Sequence, residues 1–363
     1  MIRSLGLGGL EKQLVDLVRR LGTSKVNPRV LVLTPGGERL PSLKNAGIAV
    51  SEVNARGNRF MARWKAVRRE YHSFRPEIVV SFDLASALYT VLVPHKRRNP
   101  FLVAYWGASY FPDYRMRLLF RCLHPFLDRI ISNSYSGADY LLRRFQIGAG
   151  RGGVICNGLD IEAMAQPSMP VGSLRKEIPI PDATPMAGII GKLNWDKDPM
   201  NAAEAAAIVH RRVPKAAFCF IGSGPLHADV TSYLRAQGLT DHFHLIPQRP
   251  DAPWLAREFD IAVLCSRSEG FPNVILEYMY WGKPCVVTDV GDCGRIVVEG
   301  ETGYVVPPLK PEALAQGILR LLSDPELARS MGVKGRRRLE AMYPIHRFME
   351  QFQGILDSLI PPE

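Results

Sequence analysis

The sequence predicts an α/β protein built as two facing, doubly wound domains. Three observations carry this prediction. Short β-branched runs alternate with helix-length amphipathic stretches along the whole chain, a proline-rich break falls near its middle, and 363 residues, 47% of them apolar, suffice for two cores of ordinary size.

The strands come first. RVLVLT, IAVSEV, EIVVSF, FLVAYW, RIISNS and GVICNG mark the first half, and MAGIIG, AAFCFIG, HFHLIP, DIAVLCS, PCVVTD and GYVVP the second. Such short Val- and Ile-rich runs between turn residues suit a parallel sheet covered on both faces. Helical period fills the gaps, as over Leu10–Leu21, Met200–Val213 and Pro311–Leu322. From Ala165 to Pro185, AQPSMPVGSLRKEIPIPDATP spaces its prolines too closely for a regular element and reads as the linker. The domains are then 1–168 and 173–342. The opening element is short: only MIRS precedes the glycine turn LGLGG, less than a central strand of usual length. Either the strand begins upstream of Met1, or it is cut back and the domain is less stable for it.

No run of eighteen apolar residues occurs, and MIRSLGLGG lacks the apolar core of a secretory signal, so a cytosolic chain is expected. Six cysteines (Cys122, Cys156, Cys219, Cys265, Cys285, Cys293) form no C-x-x-C pair, and three lie in apolar runs, which points to reduced, buried thiols. The net charge of +11 is lopsided. Residues 1–170 carry 25 Lys and Arg against 12 Asp and Glu, whereas residues 171–363 carry 21 against 23. A basic first half suggests a negative partner, nucleic acid or an anionic membrane leaflet. In RFMARWKAVRREYHSF, Phe60, Trp64, Val67 and Tyr71 form an apolar stripe flanked by Arg59, Arg63, Lys65, Arg68 and Arg69. That stripe is either a core-docked helix with a solvated basic face or a membrane-docking one; HKRRNP and YRMRLLFR add further charge. Nucleic acid fits less well, because no recognition module accompanies the charge.

The chemistry concentrates in SEGFPNVILEYMYWGKP (Ser268–Pro284). DIAVLCS is a strand, RSEGF the turn at its carboxyl end, Pro272 and Asn273 start a helix, and Gly282 and Pro284 close it. The N–H groups of Asn273, Val274 and Ile275 and the helix dipole then suit a phosphate. Glu269 ahead of the helix and Glu277 one turn inside it can accept from vicinal hydroxyls at the two ends of a diphosphate-linked ligand. The alternative makes Glu277 a dipole-complementing acid and Glu269 a solvated loop residue. In GKLNWDKDP, Lys192 and Lys197 follow the first strand of the second domain, where cations suit a diphosphate or are merely solvated. IGSGP is a weak glycine motif or a tight turn. In SLGLGGLEKQL, Gly6, Gly8 and Gly9 leave bare backbone before a helix, open to a phosphate or serving as punctuation.

The run SRSEGFPNVILEYMYWGKPCVVTDVGDCGRIVVEGETGYVVPP resembles the nucleotide-sugar site of retaining glycosyltransferase family 4. LGLGGLEKQL, ISNSYSGADYLL, VICNGLD, GKLNWDKDP, FIGSGPL and FHLIPQRPD follow in the family's order, so the resemblance spans nearly the whole chain. It implies the GT-B fold, two facing Rossmann-like domains with a cleft between them, and a final helix (343–363) returning to the first domain. It also implies roles by position. Glu269, with the backbone of Gly270, Phe271, Asn273 and Val274, holds the donor sugar and distal phosphate. Glu277 takes the ribose hydroxyls, Lys197 and Lys192 neutralise the diphosphate, and Gly8 and Gly9 close over the phosphates. Two positions depart from the pattern: Trp106 stands where many relatives carry a histidine, and Arg295 where a glutamate is frequent. No histidine cluster suggests a metal, and no cofactor is expected beyond the donor itself.

The resulting expectation is a retaining, metal-independent hexosyl- or N-acetylhexosaminyl-transferase. It would move sugar from a nucleoside diphosphate to a lipid-linked or saccharide acceptor in bacterial surface-polysaccharide assembly, such as lipopolysaccharide, while docked peripherally on the inner face of the cell membrane. The rival readings are a nucleotide-sugar epimerase of the same fold and a non-catalytic, membrane-bound relative.

Overall fold

A computed structural model describes residues 1–21, 26–53, 59–93, 101–107, 110–111, 113–148, 150–167, 170–178 and 180–360. Each of the β-branched runs becomes a strand: β1 (Arg29–Val32), β2 (Ala49–Glu52), β3 (Ile78–Ser81), β4 (Phe101–Trp106), β5 (Arg129–Ser132) and β6 (Gly152–Val154) in the first half. In the second half they are β7 (Met186–Ile190), β8 (Ala217–Ile221), β9 (Phe243–Ile246), β10 (Ile261–Leu264), β11 (Cys285–Thr288) and β12 (Gly303–Val306). The chain divides into two compact units, Met1–Asn157 with His346–Glu363, and Gly158–Ile345.

The first unit carries a four-stranded sheet, β3-β4-β5-β6, and a two-stranded one, β1-β2, both parallel. Between them stand only Met1 and Ile2 of the short opening element, Ile2 bridging to Val32 in parallel sense. The final helix, Ile345–Leu359, packs on this unit, and the Tyr105 ring lies 6.4 Å from both Phe348 and Phe352. On the helix Arg59–Phe74 three of the four stripe residues face inward, while Phe60 stays 42% exposed. Val67 is buried, Trp64 and Tyr71 pack against the cluster containing Leu31, Val53 and Tyr89, and Trp64 Nε1 donates to the Leu92 carbonyl at 3.1 Å. Core packing therefore accounts for Trp64, Val67 and Tyr71. HKRRNP lies outside the described residues.

The second unit is one six-stranded parallel sheet, ordered β12-β11-β10-β7-β8-β9. Its core includes the alanine-rich face of the helix Pro199–Arg212, where Ala202, Ala203, Ala205 and Ala206 are buried and let neighbours approach closely. The proline-rich stretch read as a linker is held against this unit. Gly172 N–H donates to Asp251 at 3.1 Å, and Leu174 and Arg175 N–H donate to the Glu258 carboxylate at 3.1 and 2.8 Å.

One property of this sheet positions the site. The chain lays down β7, β8 and β9 outward on one side and β10, β11 and β12 on the other, so β7 and β10 flank the point where strand order reverses. Crevices at the carboxyl ends of such neighbours are where open α/β sheets take ligands. The pairing itself widens the crevice. β7 runs with β8 over five residues, Met186↔Ala217 to Ile190↔Ile221, but meets β10 only at Ile261↔Ala187 and Ala262↔Gly188.

Candidate active site

Two connections leave the strands at this point. After β7, Gly191 and Lys192 lead to a 3₁₀ turn, Trp195–Lys197, whose cap is Asn194: its side-chain oxygen accepts from the Lys197 N–H at 3.1 Å. Asp198 then takes a left-handed conformation (φ 45°), which turns the chain sharply into the helix Pro199–Arg212. Its buried carboxylate holds that geometry by pairing with Arg267 at 2.9 Å, and the Arg267 guanidinium lies 5.2 Å over the exposed Trp195 ring. The second connection, after β10, is Cys265–Pro272. Its backbone is tied to the first, since Arg267 N–H donates to the Asp196 carbonyl at 2.8 Å.

These ties bring Lys197 and Glu269 together across 72 residues of sequence. Lys197 Nζ donates to Glu269 Oε1 at 2.5 Å, and the Ser266 hydroxyl donates to the same oxygen at 2.6 Å. Glu269 is only 9% exposed, so both contacts compensate a carboxylate largely removed from water. The Lys197 side chain keeps 31% of its surface, leaving its remaining N–H groups able to reach a ligand. The glutamate loop is braced from β11. Thr288 Oγ1 donates to the Ser266 carbonyl at 2.7 Å, and Asp292 N–H donates to the Gly270 carbonyl at 3.0 Å. Gly291 permits that approach: its φ is +57°, and a Cβ there would stand 2.3 Å from the Glu269 carbonyl oxygen.

The helix Asn273–Tyr280 begins where expected, with Pro272 as its N-cap and no side chain capping it. Of the three amides assigned to a ligand, that of Ile275 is already committed, donating to the Pro272 carbonyl at 3.1 Å. Glu277 lies one turn inside and is 6% exposed. Tyr278 anchors the helix to β7. Its buried hydroxyl accepts from the Ile190 N–H at 2.8 Å, a group left over where β10 veers away, and burial pushes the phenol well above its ordinary pKa. Gly282 (φ +61°) stops the helix, with Lys283 N–H donating to the Tyr278 carbonyl at 3.0 Å.

The remaining sequence candidates fall differently. Lys192 is exposed one residue beyond Gly191 and does not share the Lys197–Glu269 contact. The glycines of IGSGP serve packing: a Cβ on Gly222 or Gly224 would collide with the Gly191 or Leu193 carbonyl, so this loop lies flush against the Lys192 segment. In the first unit, Gly8 precedes the helix Gly9–Leu21, and the Glu11 carboxylate occupies the space a Gly8 side chain would need, so an acid already complements this helix start. Trp106 ends β4 inside an aromatic cluster, its ring 4.3 Å from that of Phe111; its indole N–H is buried without a hydrogen-bond partner among the described residues. Cys265 is a packed thiol pushed up to about 12 by burial, and no cysteine among the described residues is in a disulfide. Ser266, Tyr278 and the Asp198–Arg267 pair were not legible as site residues, since each acts only through a contact between distant segments.

Two doubly wound parallel units, the second with a lysine–glutamate pair at its strand-order reversal, define a protein of the GT-B class. Residues 7–163 match the model of Glycosyltransferase Family 4 and residues 172–338 that of Glycosyl transferases group 1, and the chain belongs to this family. It is 31% identical over 176 residues to alpha-D-kanosaminyltransferase of Streptomyces kanamyceticus, covering 48% of this chain and 46% of that one. It is 25% identical over 233 residues to the UDP-Gal:alpha-D-GlcNAc-diphosphoundecaprenol alpha-1,3-galactosyltransferase of Escherichia coli, covering 63% and 57%. The chain spans about half the length of the curated relatives it matches. The crystal structure of Anabaena HepE in complex with UDP has the same fold, with a TM-score of 0.82 over 98% of both chains at 20% identity.

Proposed function

We propose that this protein is a retaining, metal-independent glycosyltransferase that takes a hexosyl or N-acetylhexosaminyl group from a nucleoside diphosphate sugar. The observation that carries the reading is the Lys197–Glu269 pair at the β7/β10 reversal, beside the start of the helix Asn273–Tyr280. Breaking the bond between the anomeric carbon and the diphosphate oxygen leaves that oxygen with the bonding electrons. A positive group beside it lowers the barrier, because the charge exists only as the bond breaks. Lys197 and Lys192 supply this charge, and the helix start supplies backbone N–H groups and the positive end of its dipole. Glu269 accepts from donor-sugar hydroxyls and Glu277 from the ribose. The acceptor oxygen attacks from the face the diphosphate leaves, its proton passing to a phosphate oxygen, so configuration is retained without a protein base.

A lipid-linked or saccharide acceptor at the cytoplasmic face of a membrane, in bacterial surface-polysaccharide assembly, fits the diphosphoundecaprenol acceptor in the name of the E. coli relative. An exposed apolar and basic patch in the first unit is compatible with it. Tyr114 and Leu118, one turn apart on the helix Tyr114–Leu123, and Phe126 just beyond are exposed apolar residues beside Arg115, Arg117 and Arg121. Basic residues there contribute about 1 kcal/mol each against anionic lipid. No helix among the described residues is long and apolar enough to cross a membrane.

The test is a thermal-stabilisation screen of nucleoside diphosphate sugars, followed by transfer from the best donor to a membrane lipid extract and assignment of the new linkage by NMR. Conversion of the donor without any acceptor would indicate an isomerase, and donor binding without transfer to any acceptor would indicate a scaffold; either overturns the proposal.

A further inference from the structure

Asp198 occupies a backbone conformation that its place in the chain opposes. It precedes Pro199, and a residue before proline favours extended backbone, yet Asp198 stands at φ 45°, ψ 58° in the left-handed region. It is also the N-cap of the helix Pro199–Arg212, where an aspartate ordinarily accepts from the first helical N–H groups; its side chain makes no such bond. The carboxylate, on a residue only 2% exposed, turns instead to the Arg267 guanidinium at 2.9 Å. Among the described residues neither Asp198 Oδ2 nor Arg267 Nε finds another hydrogen-bond partner, so each group depends on the other. One alternative is therefore open to this turn: extended backbone at Asp198, with its carboxylate capping the helix.

The choice between the two states moves Lys197, the residue just before. Extended backbone reverses the sign of the Asp198 φ, which rotates the 3₁₀ turn Trp195–Lys197 against the helix and withdraws the Lys197 ammonium from Glu269 Oε1. Electrostatics sets the balance. Burial raises the pKa of Glu204, on the same helix; Asp198 and Glu312 raise it further and Arg267 lowers it, so the guanidinium offsets acids from two helices. Without it, repulsion from Glu204 favours release of the Asp198 carboxylate toward the helix N–H groups.

We infer, resting on the role given to Lys197 above, that Arg267 is a positioning residue: through Asp198 its guanidinium holds the turn that aims Lys197 at Glu269, without itself touching the donor. The Arg267 backbone acts separately, because its N–H bond to the Asp196 carbonyl at 2.8 Å survives any change of side chain. Glycine adopts positive φ without help, so the guanidinium becomes dispensable once Asp198 is replaced by glycine.

The experiment compares the parent with Arg267→Ala, Arg267→Lys, Asp198→Gly and Asp198→Gly/Arg267→Ala, each at a temperature where circular dichroism shows it folded. Transfer to the lipid extract is measured with the panel of nucleoside diphosphate sugars used in the stabilisation screen. Arg267→Ala should lower kcat at least about tenfold with little change in KM, because the Lys197 charge acts on the leaving diphosphate. Arg267→Lys, which keeps the charge and loses the fork, should fall between that variant and the parent, and it reads the same split if Arg267→Ala does not fold. In the Asp198→Gly chain, Arg267→Ala should change kcat by less than about twofold. A folded Arg267→Ala chain with the parent's kcat would overturn the proposal. So would a loss that persists in full in the Asp198→Gly chain, which would assign Arg267 to direct contact with the donor. A urea cycle needs no donor: in the Arg267→Ala chain, Lys197→Met should shift the midpoint by less than about half its shift in the parent, and equal shifts would overturn the proposal. If the parent takes no donor of the panel, the reading of the site fails, and the urea cycle still decides the role of Arg267.

Discussion

Replacing Lys197 by Met removes the ammonium from a contact in which the partner carboxylate has almost no water of its own. Lys197 Nζ lies 2.5 Å from Glu269 Oε1, with the two side chains 31% and 8% exposed. Orphaning one member of a fully buried pair costs about 3–5 kcal/mol, whereas exposed pairs contribute about 0.2–1 kcal/mol. With one buried and one partly exposed member, and the Ser266 hydroxyl still donating, the expected loss of stability is about 2 kcal/mol. Glu269→Gln in the same background removes the orphaned charge, so the double variant should recover about half of that loss or more; the interaction energy from the cycle should be about 1–2 kcal/mol. Ligand binding should not recover. Each charge-assisted hydrogen bond to the donor contributes about 1.5–3 kcal/mol, so affinity for the donor that the stabilisation screen selects should fall about 10- to 150-fold in the Lys197→Met chain and stay low in the double variant. Urea melts and calorimetric titration with that donor read the two quantities separately. A double variant that binds it like the parent would make the pair a structural strut and refute its role in the site.

Glu277→Ala should weaken nucleotide binding at least about tenfold by removing hydrogen bonds to the ribose, and unchanged binding would exclude Glu277 from the site. The Met1 ammonium predicts a pH effect. Its folded pKa lies below its unfolded value, at about 6 rather than 8.0, so between those values the unfolded chain binds a proton that the folded chain does not. Stability is therefore present above pH 8 and declines by about 2 kcal/mol as pH falls to 6; acetylating the amino terminus should flatten this slope, measured by urea melts at each pH. Leu118→Glu should reduce sedimentation with anionic vesicles, and the parent's binding should fall steeply with salt; equal binding to neutral vesicles would contradict the charge argument.

The strands were legible because their signal is local. DIAVLCS carries enough β-branched and apolar content in seven residues to specify β10, and Pro272 and Gly282 punctuate the next helix by backbone geometry alone. The apolar stripe from Phe60 to Tyr71 was equally visible, but a stripe states only that a face will be covered. Burial of Val67 and the packing of Trp64 and Tyr71 against the cluster containing Leu31, Val53 and Tyr89 decided what covers most of it. The glycines of IGSGP illustrate the same limit, since a phosphate loop and a close backbone crossing demand the same absence of a side chain. Met1 and Ile2 went further than a short strand could indicate: two residues serve as the rung joining two sheets.

By itself the sequence determined the α/β class, the order of elements and the family, and it marked the residues proposed to handle a diphosphate sugar, because each is written in local composition and short motifs. Tertiary structure decided which of those residues meet. Lys197 reaches Glu269, and Tyr278 reaches Ile190, because β10 returns to the side of β7 opposite β8, and strand order is a choice among long-range pairings that no window of sequence contains.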